Sequence, residues 1–256
     1  MKKCKSDSIT LINNKGIDKP NEDYYICYDT KGVYILLDGV TRDRENGIYP
    51  NPSPSFFVSK IFSEFVYTML VENLDKSDNI LYLLNSAIKF GNEKIETYNN
   101  KKIWDDDFLP GTVGIVSVIK NDKLYFAYIG DCYGIIVNTQ KRFFTKCQTD
   151  KIVKHKKEFS AYEIRNKICN NKSHPYSYGV FNGDKKALDF VEYGVIDINI
   201  DDKIVLCSDG FADVVNKLSG SEIYTMSLEH MLDFSKESDD KTMIIIEVDS
   251  YDKENI

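Results

Sequence analysis

Residues Gly32–Val40 read GVYILLDGV, five apolar side chains running straight into Asp38 and Gly39. A short apolar run rich in β-formers and bounded by glycines reads as a buried strand. A carboxylate at the end of a buried strand is costly unless something positive sits against it. The adjoining glycine lets another atom approach the backbone closely. Together they make a plausible seat for a hard divalent cation, which prefers oxygen ligands. A strand followed by an ordinary Asp-Gly turn is the plainer alternative.

Working outward, the same punctuation recurs. Tyr24–Tyr28 is an aromatic strand entered through Glu22-Asp23, and Asp29–Gly32 turns it back into Val33–Leu37. That hairpin puts Glu22, Asp23 and Asp38 at one end of two neighbouring strands. Leu124–Ile129 runs into Gly130-Asp131, and Lys203–Cys207 runs into Ser208-Asp209-Gly210. Asp239-Asp240 precede a last strand, Met243–Val248. One acidic strand terminus means little, but five suggest a shared cluster, which cannot stay ionised and crowded without cations. With almost no histidine and no paired cysteines in it, the site is oxygen-only, which favours Mg²⁺ or Mn²⁺ over Zn²⁺. Two such ions bridged by one carboxylate activate water for in-line attack, the chemistry of phosphate-ester hydrolysis.

The remaining pattern is α+β. Ser8–Asn13, Val113–Ile119, Tyr133–Val137 and Arg142–Thr145 read as further strands, as do Leu188–Tyr193 and Val195–Ile200. Ser55–Leu74 carries Phe57, Ile61, Phe65 and Met69 at helical spacing. Asn79–Tyr98 is a second helix with Leu83, Ala87, Phe90 and Ile95 inward. Lys151–Ile168 reads as an exposed helix leading to a polar stretch up to Tyr178, and Phe211–Leu218 and Ser221–Phe234 are helical. Two helices in succession after two strands argue against alternating βαβ units.

The 256 residues fit one domain, 1–256, and are 42% hydrophobic and 29% charged, as in a globular protein with a sizeable core. A net charge of -7 argues against a nucleic-acid backbone as partner. The six cysteines form no CxxC pair, so a zinc site is not expected and the thiols read as reduced. The first residues, MKKCKSDSITLINN, lack the apolar core of a signal peptide, and no apolar run is long enough to span a bilayer. The expectation is a cytoplasmic protein with no membrane partner.

Six motifs in order, NEDYY (Asn21–Tyr25), LLDGV (Leu36–Val40), PGT (Pro110–Thr112), IGD (Ile129–Asp131), LCSDGFAD (Leu206–Asp213) and DDKT (Asp239–Thr242), resemble the metal-dependent serine/threonine protein phosphatases of the type-2C or PPM family. Valine after Asp38-Gly39, and YGVFNG (Tyr178–Gly183), resemble bacterial members. The resemblance implies a four-layer αββα sandwich that hydrolyses phosphoserine and phosphothreonine in proteins phosphorylated by a serine/threonine kinase. It implies Asp38, Asp209 and Asp239 as the catalytic carboxylates. Asp38 would bridge two Mg²⁺ or Mn²⁺ ions, the Gly39 carbonyl and Glu22, in part through water, would serve the second, and Asp209 and Asp239 the first. Asp131 with Asp209 would form a weaker third site. Asp23 and Asp240 would sit behind the ligands, orienting them.

Two departures from that pattern stand out. The arginine that usually precedes the NED motif and grips the substrate phosphate in a fork is missing from Gly16–Pro20. Lys19 is the first candidate to replace it, as a point charge, with Arg42 and Arg44 as alternatives. The histidine used as general acid in animal members is Val40, a gap shared by bacterial members. The missing arginine motivates a second reading, a pseudophosphatase that binds metal and phosphoprotein without turnover. A two-metal nuclease shares the acidic chemistry but lacks a basic groove. His155, His174 and His230 read as surface or structural residues, and Trp104 with Asp105–Asp107 as a surface loop.

Overall fold

The computed structural model describes residues 3–12, 19–40, 49–101 and 109–249. The strands are β1 (Lys3–Leu11), β2 (Tyr24–Tyr28), β3 (Val33–Gly39), β4 (Thr112–Lys120), β5 (Lys123–Ile129), β6 (Tyr133–Val137), β7 (Lys141–Phe143), β8 (Glu192–Asp197), β9 (Lys203–Cys207) and β10 (Lys241–Asp249). Among the described residues they form two five-stranded antiparallel sheets, ordered β1-β10-β9-β6-β7 and β2-β3-β4-β5-β8. The helices are α1 (Pro54–Asn73), α2 (Ile80–Asn99), α3 (Asp150–His155), α4 (Ala161–Glu163), α5 (Ala212–Lys217), α6 (Gly220–Thr225) and α7 (Leu228–Phe234).

The layering follows from strands that are apolar on both faces. In β10, Met243 and Ile245 join one core with α5, α6 and α7, whereas Ile244, Ile246 and Val248 join the other. In β9, Val205 and Cys207 face the first core, and Ile204 and Leu206 the second. Alternation of period two sends neighbours to opposite faces, so a continuous apolar run is what a strand covered on both sides requires. The second core also takes in β3, β4, β5 and the inner faces of α1 and α2. The order is therefore helices, sheet, sheet, helices, the four-layer sandwich. Each side chain such as Ile244 or Leu206, wholly removed from water, contributes about 1.5–3 kcal/mol.

Helix α1 starts where Ser53 accepts a hydrogen bond from the Phe56 amide (3.0 Å), with Pro54 in the first turn. Asn79 caps α2 in the same way through Tyr82 (3.0 Å). The stripe expected to face inward from α1 is displaced by one residue: Val58, Phe62, Val66 and Leu70 are buried, while Phe57 and Phe65 are 37% and 39% exposed. Both stripes have helical spacing, and only the sheet decides between them. Phe62 stacks on Phe181 with centroids 4.5 Å apart, a partner far away in sequence. In α2, Leu83, Ala87 and Ile95 are buried as expected, and Phe90 is half-buried.

Other boundaries also differ. Expected strand Leu188–Tyr193 is a 3-10 turn, Lys185–Phe190, and β8 alone follows it. Expected helix Lys151–Ile168 breaks into α3, a 3-10 turn, α4 and a π turn (Ile164–Ile168). The break falls at Ser160, whose side chain caps α4 in a reciprocal box with Glu163. Ser221–Phe234 is likewise two helices, because Ser227 caps a new one. His155 stacks on Tyr176 at 4.4 Å and its Nδ1 lies 2.8 Å from Glu158. Trp104 and Asp105–Asp107 lie outside the described residues.

Candidate metal centre

Strand register gathers the acidic residues at one edge. Tyr24 pairs with Leu37, so Asp23 and Asp38 lie one step beyond the hairpin's last pair, and Asp38 itself pairs with Val113 of β4. Met243 pairs with Cys207, so the Ser208-Asp209 turn and the Asp239–Thr242 segment meet at the same edge of the other sheet. Asp38, Gly39, Asp131, Asp209 and Asp239, with Val40, Val113, Thr149, Tyr178 and Val180, line one cleft of about 160 Å³. It opens beside a second cavity of about 330 Å³ that shares Val40, Asp131, Thr149 and Tyr178 and is otherwise walled by 152–165, including Lys156, Phe159 and Arg165.

Glycine is needed at two of these turns. A Cβ on Gly39 would stand 2.6 Å from the Glu22 carbonyl oxygen, and one on Gly210 would stand 2.0 Å from the Asp240 carbonyl oxygen. Both contacts are to backbone, which cannot yield cheaply, so the Asp-Gly order is set by strand ends approaching from the opposing loop.

Hydroxyls hold the loops in place. The Ser59 hydroxyl of α1 lies within hydrogen-bond distance of the Glu22 carbonyl (3.2 Å), the Ser55 carbonyl (3.0 Å) and Thr112 Oγ1 (2.9 Å). Thr112 Oγ1 donates to the Asp38 carbonyl at 2.8 Å. Ser208 Oγ donates to Asp23 Oδ2 at 2.9 Å and accepts from the Thr242 amide at 3.0 Å. Thr149 Oγ1 donates to Asp131 Oδ2 at 2.9 Å, from a loop that the Gln148 amide ties to the Gly130 carbonyl (2.9 Å).

The carboxyls resist ionisation together. Burial first, then the charges of Asp23, Asp209, Asp131 and Asp239, push the Asp38 carboxyl well above its ordinary range. Burial raises Asp131 against the opposing hydrogen bond from Thr149. Burial, reinforced by the charge of Asp240, pushes Asp23 up to about 7. A donor set of carboxylates and one glycine carbonyl, destabilised by its own negative charge, fits hard divalent cations and no softer metal. The fit is one of donor chemistry and not of finished geometry: among the described residues no three His, Cys, Asp or Glu side chains stand where they could hold a metal ion as they lie.

The other side of the cluster differs from expectation. Lys19 is 2% exposed. Its ammonium lies 2.9 Å from Asp240 Oδ2, 3.2 Å from Glu22 Oε2 and 3.5 Å from Asp239 Oδ1. Asp240 Oδ2 also accepts from the Glu22 amide at 3.1 Å. Burial alone would lower the lysine's pKa, but the charges of Glu22 and Asp240 carry it above the ordinary value. Lys19, the first candidate to meet a substrate phosphate, is buried among these carboxylates and is not among the residues lining the cleft. Glu22 is turned to Lys19 and is not among the residues lining the cleft. Arg42 and Arg44 lie outside the described residues.

Sequence reasoning missed Ser59, Thr112, Thr149 and Ser208. Ser208 stands next to an aspartate inside a motif, a signal that could have been read. Thr149 gives none, because its contact depends on a loop folding back onto Gly130.

No family model matches the sequence, and neither does any curated protein. Solved structures do. The catalytic domain of the serine threonine protein phosphatase PstP, in complex with two manganese ions, is 16% identical, with a TM-score of 0.66 over 98% of this chain and 100% of that one. Stp1, a serine/threonine phosphatase from Staphylococcus aureus, is 16% identical with a TM-score of 0.64 over 96% and 95%. MsPP, a PPM Ser-Thr phosphatase from Mycobacterium smegmatis, is 13% identical with a TM-score of 0.62 over 95% and 97%. The chain therefore has, over nearly its whole length, the fold of bacterial PPM-type serine/threonine phosphatases.

Proposed function

We propose that the chain is a divalent-metal-dependent phosphatase, one catalytic domain that hydrolyses phosphoserine and phosphothreonine in proteins. The observation that carries this reading is the convergence of Asp38, Gly39, Asp131, Asp209 and Asp239, distant in sequence, on one cleft. That neighbours of the same fold are named serine/threonine phosphatases, one holding two manganese ions, supports it.

Asp38, Asp209 and Asp239 would hold two Mg²⁺ or Mn²⁺ ions with the Gly39 carbonyl, and Asp131 with Asp209 a weaker third. Bound there, divalent ions supply Lewis acidity toward water and phosphoryl oxygens. Ser208 fixes Asp23, and Thr149 fixes Asp131, so these carboxylates present defined oxygens to the cleft and behind it. Val40 and Tyr178 border the cleft. The adjoining cavity, with Lys156 and Arg165 on its wall, gives a phosphopeptide room beside the cleft. Phosphoproteins made by a serine/threonine kinase are the substrates this reading implies. Six free cysteines accord with a reducing cytoplasmic setting, and among the described residues no helix is long and apolar enough to cross a membrane.

The test is turnover of a phosphothreonine peptide with and without Mn²⁺. Metal-dependent release of phosphate that Asp38→Asn abolishes supports the reading; no release at any Mn²⁺ concentration overturns it. The engagement of Glu22 by Lys19 favours a second reading, a pseudophosphatase. Calorimetry separates the two, because a pseudophosphatase would bind the phosphopeptide and return it intact.

A further inference from the structure

We infer that Lys19 is a resident cation that competes with the second divalent ion for Glu22, so that this chain fills one metal position readily and the other only against its own lysine. The inference rests on the metal-dependent reading above and concerns which ions that site accepts.

The geometry is that of a counter-ion in a built pocket. An ammonium carries three N–H donors, and Lys19 has three carboxylates within reach, Asp240, Glu22 and Asp239. It is nearly sealed from water, as are Glu22 and Asp240. A hard dication binds carboxylate oxygen at about 2.0–2.2 Å. An ion that close to Glu22 Oε2 would sit against an ammonium 3.2 Å from the same oxygen. Two cations facing one oxygen at such range repel each other strongly in a medium that screens weakly. Asp239 connects the halves, since it lines the cleft and also lies 3.5 Å from Lys19. For the second position to fill with Glu22 as ligand, the ammonium must leave a pocket that satisfies it.

The experiment is calorimetric titration of the full chain, stripped with chelator, with MnCl₂. It is run on the wild type, Lys19→Met, Glu22→Gln and Asp38→Asn, with melting temperature recorded with and without Mn²⁺. The expected result is that the second Mn²⁺ step tightens ten-fold or more in Lys19→Met, with a larger Mn²⁺-induced rise in melting temperature than in the wild type. Glu22→Gln on its own is expected to shift Mn²⁺ affinity by no more than two-fold, because Glu22 is committed to Lys19. Equal or weaker Mn²⁺ binding in Lys19→Met overturns the inference and makes Lys19 a residue that positions Glu22. A ten-fold loss on Glu22→Gln also overturns it, and this arm stands if Lys19→Met does not fold. Failure of the metal reading looks different: no Mn²⁺ uptake by wild type or by Lys19→Met, or uptake that Asp38→Asn leaves unchanged, removes both.

Discussion

The acidic cluster has two halves built from the same residue types, and they solve the same electrostatic problem differently. Around Asp38, four carboxylates face one cleft, where burial first and then the charge of their neighbours raise Asp38 and Asp131. Around Glu22 and Asp240, the charge is answered inside the protein by Lys19. The first half is unfavourable until something positive enters from solvent, whereas the second already holds one positive charge against its two carboxylates. A count of acidic residues says nothing about metal demand; what matters is whether the chain has supplied its own cation.

Substitutions can break this contrast at several points. The largest effect is expected from Asp38→Asn, which removes the carboxylate under the most pressure. Mn²⁺-dependent phosphopeptide turnover should fall on the order of 10³-fold, while circular dichroism shows the fold retained. Lys19→Met should destabilise the metal-free protein by about 3–5 kcal/mol, the cost of leaving buried charge without its partner, as read by urea unfolding. Acidity sharpens the comparison. A carboxyl raised in the folded state binds more protons there than when unfolded, so its contribution to stability is lost as pH rises through that range. For Asp23, raised from 3.8 to about 7, the window runs between those values. The melting temperature in chelator should therefore fall from about pH 4 to about pH 7, and Mn²⁺ should remove the fall. The smallest effect is expected from Thr149→Val, which leaves Asp131 without its hydroxyl. Affinity for the weakest-bound ion should drop about ten-fold, with turnover at saturating Mn²⁺ nearly unchanged.

Much of the fold was legible because strand and acid-glycine signals are local. β2, β3, β5, β6 and β9 lie within a residue or two of their expected bounds, and the β4–β5 turn falls on Asn121-Asp122, with φ of 52° and 60°, residue types that tolerate that conformation. The buried face of α1 was not legible, since Phe57/Phe65 and Val58/Phe62 are equally periodic and the choice rests on Phe181. The partition of the cluster was not legible either. Lys19 stands three residues from Glu22, a spacing compatible with surface or interior. The approach of Asp239 and Asp240 from the far end of the chain helps to enclose it.

Ser59 sits on a helix of the outer layer, yet its hydroxyl reaches the Glu22 carbonyl and, through Thr112, the Asp38 carbonyl. One turn of α1 thereby acts as a common hinge-pin for two acid-bearing loops. A small slippage of that helix would displace both together, so damage on this remote face should surface as weakened cation retention well before the sandwich itself comes apart.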